Sequence, residues 1–211
     1  MNIITKIEIG KRNKERVNIY IDDEFAFSLS AEIVYKENLA PKQVIDVEKL
    51  TRLAREDEFM KCKSSALKIV ERSYKTEKEI FNKLITKEYS KESINRTIEF
   101  LREYNLINDR NYVKMYVKDK LKSQGKNKIK YNLKRKGISD ELIIEELSKI
   151  DDEDSKNGAI ILAQKKYNEL KRRESDQYKL SQKLYRFLIS KGYNYDLASD
   201  VMKEVIKKDE Y

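Results

Sequence analysis

Three times along this chain an apolar residue is followed by leucine four positions on, a basic residue three further, and a short turn into another apolar helix. The first copy reads Ile80, Leu84, Lys87, Glu88, Tyr89 and Ser90, with Ile94 beyond. The second reads Ile129, Leu133, Lys136, Gly137, Ile138 and Ser139, with Ile143 beyond, and the third Leu184, Leu188, Lys191, Gly192, Tyr193 and Asn194, with Ala198 beyond. Spacings inside each copy are identical, while the copies begin 49 and then 55 residues apart. Positions four apart share one helical face, and a unit of this size cannot bury its apolar stripe alone, so it is expected to stack on its neighbours. Arrays of this kind present an extended surface and do not enclose a reaction.

The first thirty residues follow a different period. Ile3, Thr5, Ile7 and Ile9 alternate, then Val17, Ile19 and Ile21, then Phe25, Phe27 and Leu29. Period two with β-branched and aromatic side chains predicts three short strands, each with one buried face. Gly10 to Lys14 would make the first turn and Asp22-Asp23 the second. So small a sheet needs a helix against it. Ser30 is a suitable N-cap for a short one carrying Ile33 and Val34, and Pro41 marks the break that follows.

From Val47 onward the pattern is helical. Leu50, Leu53 and Ala54 open a long charged stretch, with a break expected near Lys61, that continues through Ala66, Leu67, Ile69 and Val70. Thr76 with Glu79 reads as a capping box for the helix of Ile80, Phe81 and Leu84. Ser90 caps the next helix, with Ile94, Ile98 and Leu101. Asp109 is expected to cap another, edged by Tyr112, Val113, Tyr116 and Val117. Gly125 precedes the helix of Ile129 and Leu133, which Gly137 ends in a left-handed cap. Ser139 caps the helix of Leu142, Ile143 and Leu147. The acidic connector Asp151 to Asp154 leads into a helix assigned Ile160, Ile161, Ala163 and Tyr167, and a last pair is divided by Gly192. The predicted fold is mainly all-α: three tandem three-helix units in an elongated curved array, behind a small antiparallel three-stranded sheet with a short helix. Its expected parts are a β-rich extension (1–46), a first helical unit with its lead-in helix (47–108), a second unit (109–150) and a third (151–211).

Composition narrows the chemistry. Among 211 residues there is no His and no Trp, and the lone Cys62 excludes an intramolecular disulfide and a cysteine-based zinc cluster. Cys62 reads as a reduced thiol beside the start of a helix. No phosphate-binding glycine motif is present, and the acidic residues form no evident catalytic pair, so neither an enzymatic activity nor a cofactor is expected. The first residues alternate and carry charge, unlike a signal peptide, and no apolar run approaches membrane-spanning length, which suits a cytoplasmic address.

Charge adds a location. Between Lys114 and Lys136 lie ten basic residues against the single Asp119, so this stretch carries as much as the whole chain's net +9. Lys114, Lys118 and Lys122 fall four apart, as do Lys126, Lys130 and Lys134, which predicts two unpaired rows on successive helices. Lys128, Arg135 and Lys136 add to them, and Lys171, Arg172 and Arg173 could continue the surface in the third unit. These residues are the candidate contacts to DNA or to a filament, with Lys side chains neutralising phosphates and not reading bases. A solvated face that uses Lys for solubility is the alternative. Tyr131 could stack on an exposed base, but core or half-buried packing is its expected use.

The repeated units, in this order, resemble the RecX family, bacterial regulators of the RecA recombinase. The resemblance rests on Lys75-Thr76-Glu77-Lys78-Glu79-Ile80, then Leu84, Lys87, Tyr89-Ser90, Ile94, Leu101, Leu106-Ile107-Asn108-Asp109 and Tyr112. In the second unit it rests on Gly125-Lys126-Asn127-Lys128-Ile129 through Leu133, Lys136-Gly137-Ile138 and Ile143. Where the family usually has glycine, this chain has Glu88 and Asn105; Asn108-Asp109 stands for Asp-Asp, and Lys126 for a usual proline. It implies binding to the RecA filament on single-stranded DNA, modulation, in the inhibiting direction, of strand exchange and of filament-stimulated repressor cleavage, and largely sequence-independent DNA binding. It implies no activity of the chain's own and no cofactor, and a monomer without a membrane partner is expected. A nucleic-acid-binding helical protein or an adaptor not acting through RecA remains the alternative.

Overall fold

A computed structural model describes residues 2–10 and 14–207. Strands β1 (Ile4–Ile9), β2 (Arg16–Ile21) and β3 (Glu24–Ser30) pair antiparallel in the order β1-β2-β3, and helix α1 (Ala31–Lys36) follows. Nine helices complete the described chain: α2 (Val47–Arg72), α3 (Glu77–Ile85), α4 (Lys91–Glu103), α5 (Asp109–Lys120), α6 (Lys126–Arg135), α7 (Asp140–Ser148), α8 (Asp152–Lys171), α9 (Gln177–Ser190) and α10 (Tyr195–Lys207). They form two compact units, Met1–Ser73 with Ile80–Leu106 and Tyr74–Glu79 with Ile107–Tyr211. The mainly helical fold with three three-helix sets behind a small sheet is the one the periodicity predicts.

In the first unit Ile4, Val17, Ile19 and Leu29 are buried, and Ile33, Val34, Leu39 and Ala54 pack against them. Asp22 and Asp23, with φ of 48° and 69°, make the two-residue β2–β3 turn, a geometry whose twist suits antiparallel strands. Of the predicted β1–β2 turn, Lys11, Arg12 and Asn13 lie outside the described residues. The alternation assigned to β1 needs correcting. Ile4, out of step with Ile7 and Ile9, is fully buried because pairing shifts between Ile4 and Lys6 and the extra residue brings Ile4 onto their face, opposite Ile21; Ile9, the last residue of the strand, is 68% exposed.

Helix α2 runs unbroken for 26 residues, without the break expected near Lys61. It contains no glycine or proline, and both ends have work to do: its first turns cover the sheet and its later turns pack on α4. Cys62 is therefore not beside a helix start but buried mid-helix, where burial pushes its thiol pKa up. Asp57 ties the helix to the sheet. Its Oδ2 accepts from Arg16 Nη1 and from the Ser30 backbone N–H, both at 3.1 Å, and lies 3.3 Å from Lys61 Nζ. That ammonium is shut off from solvent and makes no hydrogen bond, so proximity alone balances its charge. The next residue, Glu58, accepts from Ser90 N–H (2.9 Å), Ser90 Oγ (2.6 Å) and Ser93 Oγ (2.8 Å), which tethers the start of α4. Burial pushes the Glu58 pKa up, but these bonds and the Arg16 charge outweigh it and hold the carboxyl below its ordinary value.

All nine apolar positions of the threefold pattern (Ile80, Leu84, Ile94, Ile129, Leu133, Ile143, Leu184, Leu188 and Ala198) have 0% exposure. The second unit keeps two of the three cores apart. Val113, Val117, Ile129, Leu133, Ile138 and Ile143 form one, and Leu180, Leu184 and Leu188 with the facing rows of α8 and α10 form the other. On α8, the helix to which sequence assigned Ile160, Ile161, Ala163 and Tyr167, the buried row is Ala159, Ala163 and Tyr167, and Ile161 is 72% exposed. The small alanines allow close helix packing, and Ile161 lies two positions off that stripe. Gly137 and Gly192 end their helices at φ of 87° and 88°, as their C-cap role requires. Glu88 and Asn105 adopt the same left-handed region at 65° and 52° without being glycine.

Candidate nucleic-acid interface

The candidate surface begins with what fixes it. The Thr76–Glu79 capping box is present: Glu79 N–H donates to Thr76 Oγ1 (3.2 Å) and Thr76 N–H to Glu79 Oε2 (3.1 Å). It also reaches the end of α6. Thr76 Oγ1 donates to the Lys136 carbonyl (2.7 Å), and Lys136 Nζ bonds Glu79 Oε1 (2.6 Å). Asp109 serves this junction too. Asn108, not Asp109, caps α5, and the Asp109 carboxylate accepts from Glu77 N–H (3.0 Å) at the start of α3. Sequence spacing suggested the neighbouring residue because either side chain is a good cap.

The start of α6 meets the end of α9 in a parallel way. Gly125 N–H donates to the Lys191 carbonyl (2.9 Å), Asn127 N–H to the Gly192 carbonyl (3.2 Å) and Lys128 Nζ to the Ser190 carbonyl (2.9 Å). In both junctions the opening turn of one helix lies on the glycine turn that closes another. A Cβ on Gly137 would come 2.4 Å from Lys78 Cβ, and one on Gly192 2.4 Å from the Lys128 backbone nitrogen. Glycine is thus needed twice at each of these turns, for its positive φ and for the close approach.

Burial pushes the Glu79 pKa up, but Lys136, the Thr76 N–H and Lys75 hold it below the ordinary value. A lowered carboxylate pKa contributes stability in full above the unfolded value, about 4.3, and loses it as pH falls through the lower folded one. The stability advantage of the native chain over Glu79→Gln is therefore expected to shrink as pH is lowered from about 6 to about 3. Urea titrations across that range check this, and an advantage independent of pH would exclude ionised Glu79 as its source.

The ten bases of the middle stretch do not form two unpaired rows. Lys126 is bonded to the Ile150 carbonyl (3.1 Å) and to Asp152 (2.9 Å), Lys134 pairs with Asp140 (2.8 Å) and Lys120 with Asp119 (2.8 Å). Lys128 and Lys136 hold the junctions. Lys122 also leaves its row, because α5 ends at Lys120 and Lys122 lies in the turn beyond. Lys114, Lys118, Lys122, Lys130 and Arg135 remain without an ion pair among the described residues; Lys130 is half-buried and the other four are exposed. Lys171 ends α8, and Arg172 and Arg173 follow it; all three are exposed and belong to neither row. Tyr131 is 61% exposed, with the Arg135 guanidinium 5.8 Å from its ring, so the expected core packing is corrected. Ile129 and Leu133 fill the buried stripe, and a residue midway between them points away from it.

Sequence reading missed an aromatic feature beside these cations. Tyr74, Tyr112 and Tyr116 stack in series, with centroids 5.8 and 6.0 Å apart and rings 14° and 19° from parallel. Lys136 Nζ lies 5.4 Å from the Tyr112 centroid and Lys120 Nζ 5.8 Å from that of Tyr116. The i, i+4 spacing of Tyr112 and Tyr116 was the available signal; the third ring comes from a distant part of the sequence. Among the described residues no group of acidic or cysteine side chains could hold a metal ion, and no helix is long and apolar enough to cross a membrane.

Comparison with known proteins agrees with this architecture segment by segment. The family model of the regulatory protein RecX N-terminal domain matches residues 2–46, and those of the first, second and third RecX three-helix domains match 62–101, 108–147 and 153–202. A regulatory protein RecX of Clostridium beijerinckii is 57% identical over 206 residues, covering 98% of this chain and 97% of the relative. One from Clostridium perfringens is 53% identical over 209 residues, 99% of each. A crystal structure of a regulatory protein RecX superposes with a TM-score of 0.66 at 26% identity, covering 98% of this chain and 100% of the other. That of RecX from Lactobacillus salivarius gives 0.63 at 27% identity over 72% and 99%. With its sheet and all three helical sets matched in order, the chain belongs to the RecX family of regulatory proteins.

Proposed function

We propose that this protein binds the RecA nucleoprotein filament on single-stranded DNA and inhibits strand exchange and filament-stimulated repressor cleavage. It acts as a monomeric, cofactor-free binding protein and not as an enzyme. Family membership supports the recombinase as partner. The observation that carries the nucleic-acid part is the set Lys114, Lys118, Lys122, Lys130 and Arg135, cations without ion pairs among the described residues while their neighbours hold the fold. Unpaired like charges at helical spacing repel one another, a cost that an anionic partner would relieve. Lysines suit phosphates without base selection, so sequence preference is slight.

The direct test is retention on RecA filaments assembled on single-stranded DNA, beside free RecA and free DNA. Selective retention on filaments is expected; retention on free DNA alone would favour a nucleic-acid-binding protein that does not act through RecA. Replacing Lys114, Lys118, Lys122 and Lys130 with alanine is expected to weaken both interactions with little change in stability. Lys126 stays, because it holds Asp152 and the Ile150 carbonyl. The salt slope for duplex DNA should fall by about 0.9 for each of these residues that meets a phosphate, and so by at most about 3.6. An unchanged slope in the folded variant would remove this row from the DNA contact.

A further inference from the structure

The stacked tyrosines border a cavity of about 390 Å³ lined by Glu79, Tyr116, Asn132, Arg135 and Lys136. Its size lies in the range of small-ligand sites, roughly 300–1,000 Å³. Tyr116 is the end ring of the stack and only partly buried. Asn132 Nδ2 donates to Gln124 Oε1 (3.1 Å), while its Oδ1 has no partner among the described residues and is open to a donor. Arg135 has no ion pair among the described residues, and its guanidinium approaches only the exposed ring of Tyr131. The acidic member is already satisfied: Glu79 Oε1 bonds Lys136 and Oε2 accepts the Thr76 N–H.

We infer that this cavity takes a single nucleotide, its base stacked against Tyr116 with its polar edge at Asn132 and its phosphate at Arg135. The ligand follows from the chemistry. A flat ring needs an aromatic face and an amide that both donates and accepts, and an attached phosphate needs a cation without a competing carboxylate, which Arg135 offers and Lys136, held by Glu79, does not. Lys114, Lys118, Lys122 and Lys130 lie on α5, in the turn after it and on α6, but Lys114 and Lys118 are two positions from Tyr116 and project from the other side of α5, so the lysine row is a surface separate from the cavity. Paired bases cannot stack on a side chain without leaving the duplex, so the site selects single strands. The inference rests on the nucleic-acid part of the proposed function and adds the strand type and the residues that choose it.

The test uses the full chain, labelled oligothymidine of twenty nucleotides, a duplex of equal length and an abasic strand of the same charge. Tyr116→Leu keeps apolar contact with the core of Val113 and Val117 and removes the aromatic face. It is expected to weaken oligothymidine binding on the order of tenfold, the loss typical of one stacked base, while leaving the duplex, the abasic strand and the salt slope unchanged. Tyr116→Phe should bind as the native chain does, and native helicity in both variants shows that they fold. Native affinity of Tyr116→Leu for oligothymidine would overturn the inference, as would equal weakening for all three ligands. Thymidine monophosphate at millimolar concentration is expected not to displace the strand from the native protein. Binding of that mononucleotide through Tyr116, with oligothymidine binding intact in Tyr116→Leu, would assign the cavity to free nucleotides and overturn the strand reading. Failure of the lysine row alone would instead show as an unchanged salt slope with the Tyr116 effect retained.

Discussion

Asp57→Ala is expected to destabilise the first unit by about 3–5 kcal/mol, the usual cost of removing one partner from a buried charge pair. The carboxylate side chain is only 8% exposed and gathers three groups: the Arg16 guanidinium, the Ser30 backbone N–H and the enclosed Lys61 ammonium. Without it, Lys61 keeps a charge shut off from water and Ser30 keeps an unpaired donor where β3 passes into α1. Arg16→Ala removes its bonds to the Ser28 carbonyl (2.7 Å) and Ser28 Oγ (3.1 Å) but leaves Asp57 the Ser30 N–H and the Lys61 ammonium, so it should cost clearly less. Denaturant titration followed by circular dichroism measures both. A loss below about 1 kcal/mol for Asp57→Ala would mean that water or a rearranged Lys61 replaces the carboxylate.

Gly192→Ala is expected to cost roughly 2–5 kcal/mol, from a left-handed backbone penalty of about 1–2 and an overpacking cost of about 1–3. The added methyl carbon would lie 2.4 Å from both the Lys128 nitrogen and its Cβ, neither of which moves without shifting the start of α6. Gly137→Ala should cost somewhat less, since its contacts are all with the Lys78 side chain. Position 88 supplies the comparison. Glu88 has the same positive φ and is exposed, so Glu88→Gly should be stabilising by about 1 kcal/mol. Thermal unfolding of the three variants orders them, and losses at 137 and 192 no larger than the gain from Glu88→Gly would show that φ alone matters and that the junctions do not.

This contrast also explains why the repeat was legible and yet incomplete in the sequence. Burial of Ile80, Ile129 and Leu184 with their partners follows from spacing along one helix, a local relation that the chain order carries by itself. The Lys-Gly pairs announced helix ends for the same reason. Their second duty, receiving the opening turn of another helix, joins residues 57 to 67 positions apart and leaves no periodic trace. Sequence therefore gave no reason for glycine at 137 and 192 where Glu88 suffices at the first turn.

The charged surface divides along the same line. The concentration of lysine between Lys114 and Lys136 is a fact of composition, and its helical spacing made it a candidate interface without any coordinates. Which lysines remain available was decided by groups brought in from elsewhere: Asp152 and the Ile150 carbonyl for Lys126, Ser190 for Lys128, Glu79 for Lys136. The β1 bulge and the joining of Tyr74 to Tyr112 and Tyr116 are of this kind as well. By itself the sequence determined the helices apart from the continuity of α2, most of their buried faces, the presence of the sheet and the family, because each rests on short-range order or on residues read in succession. Tertiary structure decided the pairing of charges, the double requirement for glycine and the cavity beside Tyr116, because each depends on distances between segments that only the packed cores bring together.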